Sequence, residues 1–424
     1  MRTRVDWLPM LALLLLLVLP GAAPAQTTEE REPIDLDQLR MARKVRAASF
    51  PVGSRVSRYL TAAQEASEEG NAQEGIALLD KLNMRRLNSY ERALIYRLKA
   101  YIAYAAGEFE VAIESLEKVL AEEVMPLEAE NRIRFNIAQI YASLQQWRDA
   151  ITALKRWFRY VEDPDPLAYY LLGISYYQLE EIDLAITNTE KAVDLAEEPA
   201  EGWLQLLAAL YIQKEDYPSA SPILEELVMR FPKKQYWVQL SLIYGARDNY
   251  RHSLAVQQVA YLQGLLTEDK ELRRLARSYL YHDLPYPAAK VLEKGIEEGA
   301  IEKDAKAYEL LANSWIAARE YDRSLPPLQR AAKLSDDGKL FVRLGQVHLQ
   351  REEWDEAAKQ LRQGIEKGGL EKPGNAQLLL GIAYYNDERV MQARASFARA
   401  LQHDSTRAEA GRWITHIEKE AGSG

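Results

Sequence analysis

Leu or Ile, then a small residue, then an aromatic three positions on: this order recurs as Ile137-Ala138-Tyr141, Leu172-Gly173-Tyr176, Leu240-Ser241-Tyr244, Leu275-Ala276-Tyr279, Leu311-Ala312-Trp315 and Leu380-Gly381-Tyr384. The small positions extend in both directions as Ala63, Ala100, Ala138, Gly173, Leu207, Ser241, Ala276, Ala312, Gly345 and Gly381, small at nine of ten. Twelve residues after each stands a second series: Gly75, Ala112, Ala150, Ala185, Ser219, Ser253, Ala288, Ser324, Ala357 and Ala393. Two helices approach closely only where side chains are nearly absent, so each couple predicts where a first helix crosses a second. Larger side chains four residues before the first series, among them Tyr59, Tyr96, Tyr169, Trp203, Trp237 and Tyr308, fill the space between neighbouring pairs.

Helix boundaries follow the same count. Pro164, Pro166, Pro199 and Pro232 precede or open first helices. Pro218, Pro222, Pro285, Pro287, Pro326 and Pro327 are expected in the turn or first turn of second helices, where a missing N–H costs least. After the last pair, Ala410, Trp413, Ile414 and Ile417 form one apolar stripe opposite Arg412, Thr415, Glu418 and Lys419, a capping helix. The second series is spaced by 37, 38, 35, 34, 34, 35, 36, 33 and 36 residues. Period and order resemble the tetratricopeptide (TPR) repeat, of about 34 residues. The expected fold is all-α: a TPR-type α-solenoid, a right-handed superhelix of about ten helix pairs over 56–407, with a capping helix and tail at 408–424.

The N-terminus adds an address. Arg2 and Arg4 precede an apolar run from Leu8 to Leu19, then Pro20-Gly21 and Ala23-Pro24-Ala25. This is the layout of a secretory signal (residues 1–25) cleaved after Ala25, since twelve apolar residues fall short of the roughly 20 that span a bilayer. Residues 26–55 read as a flexible leader with one short helix around Leu36 to Val45. The chain has no cysteine, so no lipid anchor through a thiol and no disulfide is expected, and the mature product is placed in the Gram-negative periplasm without a membrane span. Losing residues 1–25 removes Arg2, Arg4 and Asp6 and moves the formal charge from −9 to −10, which disfavours nucleic acid as a partner.

No nucleophile elbow, phosphate-binding loop, zinc-binding H-E-x-x-H or dinucleotide fingerprint occurs, and the five histidines stand in different repeats or in the cap. No catalytic, metal or cofactor site is expected; an enzyme or ligand receptor with a site between repeats is the alternative of another class. Binding then falls to the first helices. Their groove-facing positions give Arg97, Tyr101, Tyr104, Arg132, Phe135, Gln139, Tyr170, Ile174, Tyr177 and Tyr211, with Lys270, Arg273 and Arg277 further along as a candidate site for carboxylates. Tyr and Arg dominate protein-binding hot spots, which suits an extended peptide or a partner helix. The Lys and Asn couple with which chaperone-binding TPR domains clamp a C-terminal carboxylate is missing: Asn313 is accompanied by Glu309.

The segments Tyr261–Thr267 (YLQGLLT), Leu272–Tyr286 (LRRLARSYLYHDLPY) and Glu309–Ala318 (ELLANSWIAA) are similar to the periplasmic TtpC-like TPR proteins that accompany some TonB–ExbB–ExbD systems. That likeness covers about a quarter of the chain. It implies an accessory of a proton-driven envelope motor, with periplasmic segments of TonB, ExbB or ExbD as partners, and carries no binding residue position by position. A scaffold for peptidoglycan or outer-membrane assembly is the alternative within the same class.

Overall fold

A computed structural model describes residues 34–48 and 51–422. The expected signal and its cleavage point lie outside the described residues. Within them the chain forms 22 α-helices, one 3-10 turn at Met84–Arg86 and no strand. It divides at Pro164 and Asp165 into two compact units.

The first unit holds α1 (Leu36–Ala48) and the pairs α2/α3 (Ser54–Glu68, Ala72–Asp80), α4/α5 (Ser89–Ala105, Phe109–Glu122) and α6/α7 (Leu127–Ser143, Trp147–Phe158). The second begins with α8/α9 (Pro166–Gln178, Ile182–Leu195), α10/α11 (Glu201–Gln213, Tyr217–Arg230) and α12/α13 (Lys234–Ala246, Tyr250–Leu262). It continues with α14/α15 (Asp269–Tyr281, Pro285–Glu297), α16/α17 (Ala305–Ala317, Tyr321–Leu334), α18/α19 (Lys339–Gln350, Trp354–Lys367) and α20/α21 (Pro373–Asn386, Val390–Ala400). α22 (Arg407–Gly422) closes it, burying Ala410 and Ile417 against α21. The core runs between a pair and its neighbour: Leu275, Leu292, Leu311, Trp315 and Leu328 belong to one cluster drawn from α13 to α18.

The crossings need their small residues. A methyl group on Gly75 would stand 2.8 Å from the Ala63 carbonyl oxygen, and one on Gly381 would stand 2.5 Å from the Phe397 ring. In the fifth pair the crossing is shifted by one residue from the expected Leu207 and Ser219. Ala208 and Ala220 occupy it, both buried, while Ser219 is half-exposed. The exception in the first series therefore disappears, because every pair has a small residue there.

The turn between the helices of each pair has a fixed geometry. A left-handed residue stands five before the second small position in all ten: Gly70, Gly107, Gln145, Glu180, Glu215, Asp248, Asp283, Arg319, Glu352 and Glu388, the non-glycine φ values lying between 56° and 61°. A side chain in that region costs about 1–2 kcal/mol. Arg319→Gly should therefore raise the urea midpoint by the equivalent of about 0.5–1 kcal/mol, after the entropy that glycine adds to the unfolded chain. Arg319→Val should lower it.

Two expectations differ in detail. Pro222, Pro326 and Pro327 lie inside α11 and α17, beyond their first turns, so the carbonyls one turn earlier lose a helical partner. Within the expected leader, residues 36–48 are helical and tied down by charge. Arg43 is buried, donating to the Glu123 carbonyl oxygen at 2.5 Å and standing 3.1 Å from the Glu130 carboxylate. Arg40 donates to Glu128 at 3.1 Å, and Arg46 lies 3.5 Å from the Glu123 carboxylate.

Candidate protein-binding surface

Helix α4 starts from a capping box in which Asn88 and Glu91 satisfy each other's backbone N–H groups. With Ile95, Ile102 and Ala103 buried, the face left in water presents Arg97, Tyr101 and Tyr104 at steps of four and three. Tyr101 is 65% exposed and Tyr104 44%. Tyr104 meets Phe109 of α5 edge-on at 5.5 Å, which orients its ring without covering it. On α6, Arg132 and Gln139 are exposed, but Phe135 is half-buried and packs against Trp157 at 5.2 Å.

In the second unit, the predicted tyrosines are half-buried. Tyr170 stacks on Trp203 at 5.1 Å, and burial pushes its phenol up. Ile174 and Tyr177 are half-buried beside it in the same helix. Tyr211 donates to Glu190, and burial together with that carboxylate raises its phenol far above the ordinary range. It is a strut from α10 to α9. Its assignment to the groove came from the one-residue shift in this repeat. The same strut recurs from α12 to α11 where Tyr244 reaches Glu225, and Tyr236 ties α12 to Glu201 of α10, burial and the carboxylate pushing each phenol up to about 12.

Helix α14 keeps two of its three predicted cations free. Lys270 and Arg277 are exposed. The Arg273 side chain is 11% exposed and committed: it donates to Asp269, to both Asp304 oxygens at 3.1 and 3.2 Å, and to the Glu302 carbonyl at 3.3 Å. Arg274, absent from the predicted set, points to solvent instead, as does Tyr281. The spacing 270, 274, 277, 281 was available in the sequence. What hid it was two adjacent arginines and no indication of which one Asp304 would take.

A histidine–carboxylate pair does occur: the buried His348 Nδ1 lies 2.6 Å from Glu353, and Arg351 and His348 pull that carboxyl down to about 2. It joins α18 to the following turn, and the remaining ring nitrogen has no hydrogen-bond partner. Among the described residues no three His, Cys, Asp or Glu side chains cluster as metal ligands, and no helix is long and apolar enough to cross a membrane.

A family model described as the tetratricopeptide repeat matches residues 135–200 and 342–408. Mouse tetratricopeptide repeat protein 21B is 23% identical over 283 residues; the match covers 60% of this chain and 21% of that protein's length. A solved tetratricopeptide repeat protein from Parabacteroides merdae ATCC 43184 aligns at 17% identity and TM-score 0.34, over 69% of this chain and 99% of its own. YrrB, described as a TPR protein with an unusual peptide-binding site, aligns at 17% identity and TM-score 0.36, over 46% and 96%. Paired helices crossing at small residues, left-handed turns at a fixed offset and the matching family model define an all-α TPR-type solenoid. The chain thus carries tetratricopeptide repeats, and proteins built of such repeats serve as protein-interaction scaffolds.

Proposed function

We propose that the chain is a non-enzymatic scaffold that captures protein partners on the exposed faces of its first helices, in the periplasm of a Gram-negative bacterium, as an accessory of a TonB–ExbB–ExbD system. The observation that carries the scaffold reading is the α4 strip, where Arg97, Tyr101 and Tyr104 leave two large aromatic side chains in water on one helix face. Such residues give much contact area for little entropy lost, and they dominate binding hot spots. The charged start, short apolar run and Ala23-Pro24-Ala25 support export. The likeness to TtpC-like proteins, which falls on α13 to α16, supports the TonB assignment.

The test uses the chain from Gln26 onward against the periplasmic segments of TonB, ExbB and ExbD in a binding titration. At least one should bind, and the Tyr101→Ala/Tyr104→Ala double variant should lose at least about 2 kcal/mol, roughly thirtyfold in Kd. Binding to none of the three removes the TonB assignment. Binding that the double variant leaves unchanged moves the site off α4.

A further inference from the structure

Lys270, Arg274, Arg277 and Tyr281 follow one another along α14 at steps of four, three and four. At 3.6 residues per turn they form a single strip, and all four are exposed, Tyr281 to 67%. The carboxylates at the Lys270 end of the strip are spoken for. Asp269 and Asp304 hold Arg273, while Glu268 and Glu271 hold Lys234 at 2.7 and 2.9 Å. Glu271 also accepts the Thr267 and Glu268 N–H groups at 3.1 and 3.0 Å. Among the described residues, Lys270, Arg274 and Arg277 make no ion pair or hydrogen bond; Lys270 acts on Glu268 only at range.

The arrangement works against the helix. Like charges four apart repel, and a cation in the first turn opposes the helix dipole. α12, the preceding first helix, shows solvent Gln235, Gln239 and Leu242, with no carboxylate in that face to offset the charge. At the other end the strip turns aromatic. Tyr281 meets Tyr250 edge-on at 5.1 Å and His282 at 5.3 Å, and Tyr250, itself 41% exposed, is fixed by its hydroxyl donating to Asp248 at 2.8 Å. Three uncompensated cations leading to an exposed aromatic corner, in a chain of formal charge −9, define a complementary ligand.

We propose that this strip docks an extended acidic segment of a partner protein, its Asp and Glu side chains over Lys270, Arg274 and Arg277 and an apolar residue against Tyr281 and Tyr250. The strip is about 16 Å long, eleven residues of helix rise, which about five residues of extended chain cover. The inference rests on the scaffold reading and names the chemistry of a partner, independent of the α4 strip and of the TonB assignment.

The probe is a fluorescein-labelled octapeptide with four consecutive acidic residues followed by leucine, blocked at both ends, titrated by anisotropy at low ionic strength. Saturable binding is expected, weakening with salt. Arg274→Glu/Arg277→Glu should reduce affinity at least about tenfold, Tyr281→Ala should reduce it severalfold without altering the salt dependence, and Arg97→Glu should leave it unchanged. Because the reversed residues are exposed, the double variant should keep its urea midpoint, which separates lost binding from lost fold. Equal binding of the Asn/Gln version of the peptide, or full affinity in the Arg274→Glu/Arg277→Glu variant, would overturn the proposal. So would binding of anionic phosphatidylglycerol vesicles in place of the peptide. Should peptide binding fail while a partner is still captured through Tyr101 and Tyr104, this inference falls and the scaffold reading stands.

Discussion

Glu130→Ala is expected to cost the first unit about 3–5 kcal/mol and to loosen α1, since it leaves the buried Arg134 without a counter-charge and Arg43 with only Glu123. The Glu130 side chain is 0% exposed, 3.1 Å from Arg43 Nε and 2.9 Å from Arg134 Nη2. Arg134 has little freedom to follow a new partner. Its guanidinium lies 3.9 Å over the Tyr160 ring and donates to Asn131 at 3.0 Å, and Asn131 in turn donates to the Tyr160 carbonyl at 2.5 Å. Burial raises the Glu130 pKa in spite of the two arginines, so desolvation outweighs their attraction and the carboxylate depends on both. Arg43 has an escape that Arg134 lacks, because it belongs to a helix whose other ties are surface ion pairs worth at most about 1 kcal/mol each. Urea unfolding gives the first number, and hydrogen exchange over residues 36–48 reports the second. Arg43→Ala should loosen α1 at least as much while lowering the midpoint less, because Glu130 keeps Arg134. An unchanged midpoint with α1 still protected in Glu130→Ala would show that the cluster holds nothing.

The other large effect belongs to Trp315→Ala in the second unit, at about 3–5 kcal/mol. Trp315 is 1% exposed and sits in the cluster that joins α13 to α18. Arg323 lies 3.8 Å over its ring, and Tyr286 meets it edge-on at 5.3 Å. Truncation empties that space and leaves Arg323 and Tyr286 without their platform. A repeat array is held by nearest-neighbour contacts, so the loss should act locally and split a cooperative transition into two. The expected readings are a second phase in urea unfolding and new proteolytic cleavage between residues 300 and 336. Tyr281→Ala, on an exposed ring of the same region, should change the midpoint by less than about 0.5 kcal/mol. If the two variants unfolded alike, burial would not be what ranks these aromatics.

The candidate surface was legible in part, and each error has a local cause. Arg97, Tyr101 and Tyr104 were readable because a helix with one apolar face must turn its other face to water. Tyr170, Tyr177 and Tyr211 occupy similar positions in the pattern, yet Trp203 covers Tyr170 and Glu190 holds Tyr211. Ala208 and Ala220 were hidden because Ser219, small itself, keeps the 34-residue spacing and draws the register onto Leu207, until the left-handed Glu215 fixes it one residue later. Arg273 and Arg274 are chemically identical neighbours separated only by Asp304, 31 residues on from the first of them.

By itself the sequence determined that this protein is a row of helix pairs, because small residues twelve apart, apolar spacing and turn positions are local signals repeated ten times. Only the tertiary structure decided which tyrosines are struts and which face solvent, which of two arginines is free, and that α1 is pinned to α6 across 87 residues of chain between Arg43 and Glu130. Helix propensity and periodicity act over a few residues, whereas the pairing of a buried charge or the covering of a ring is set by groups that only folding brings together.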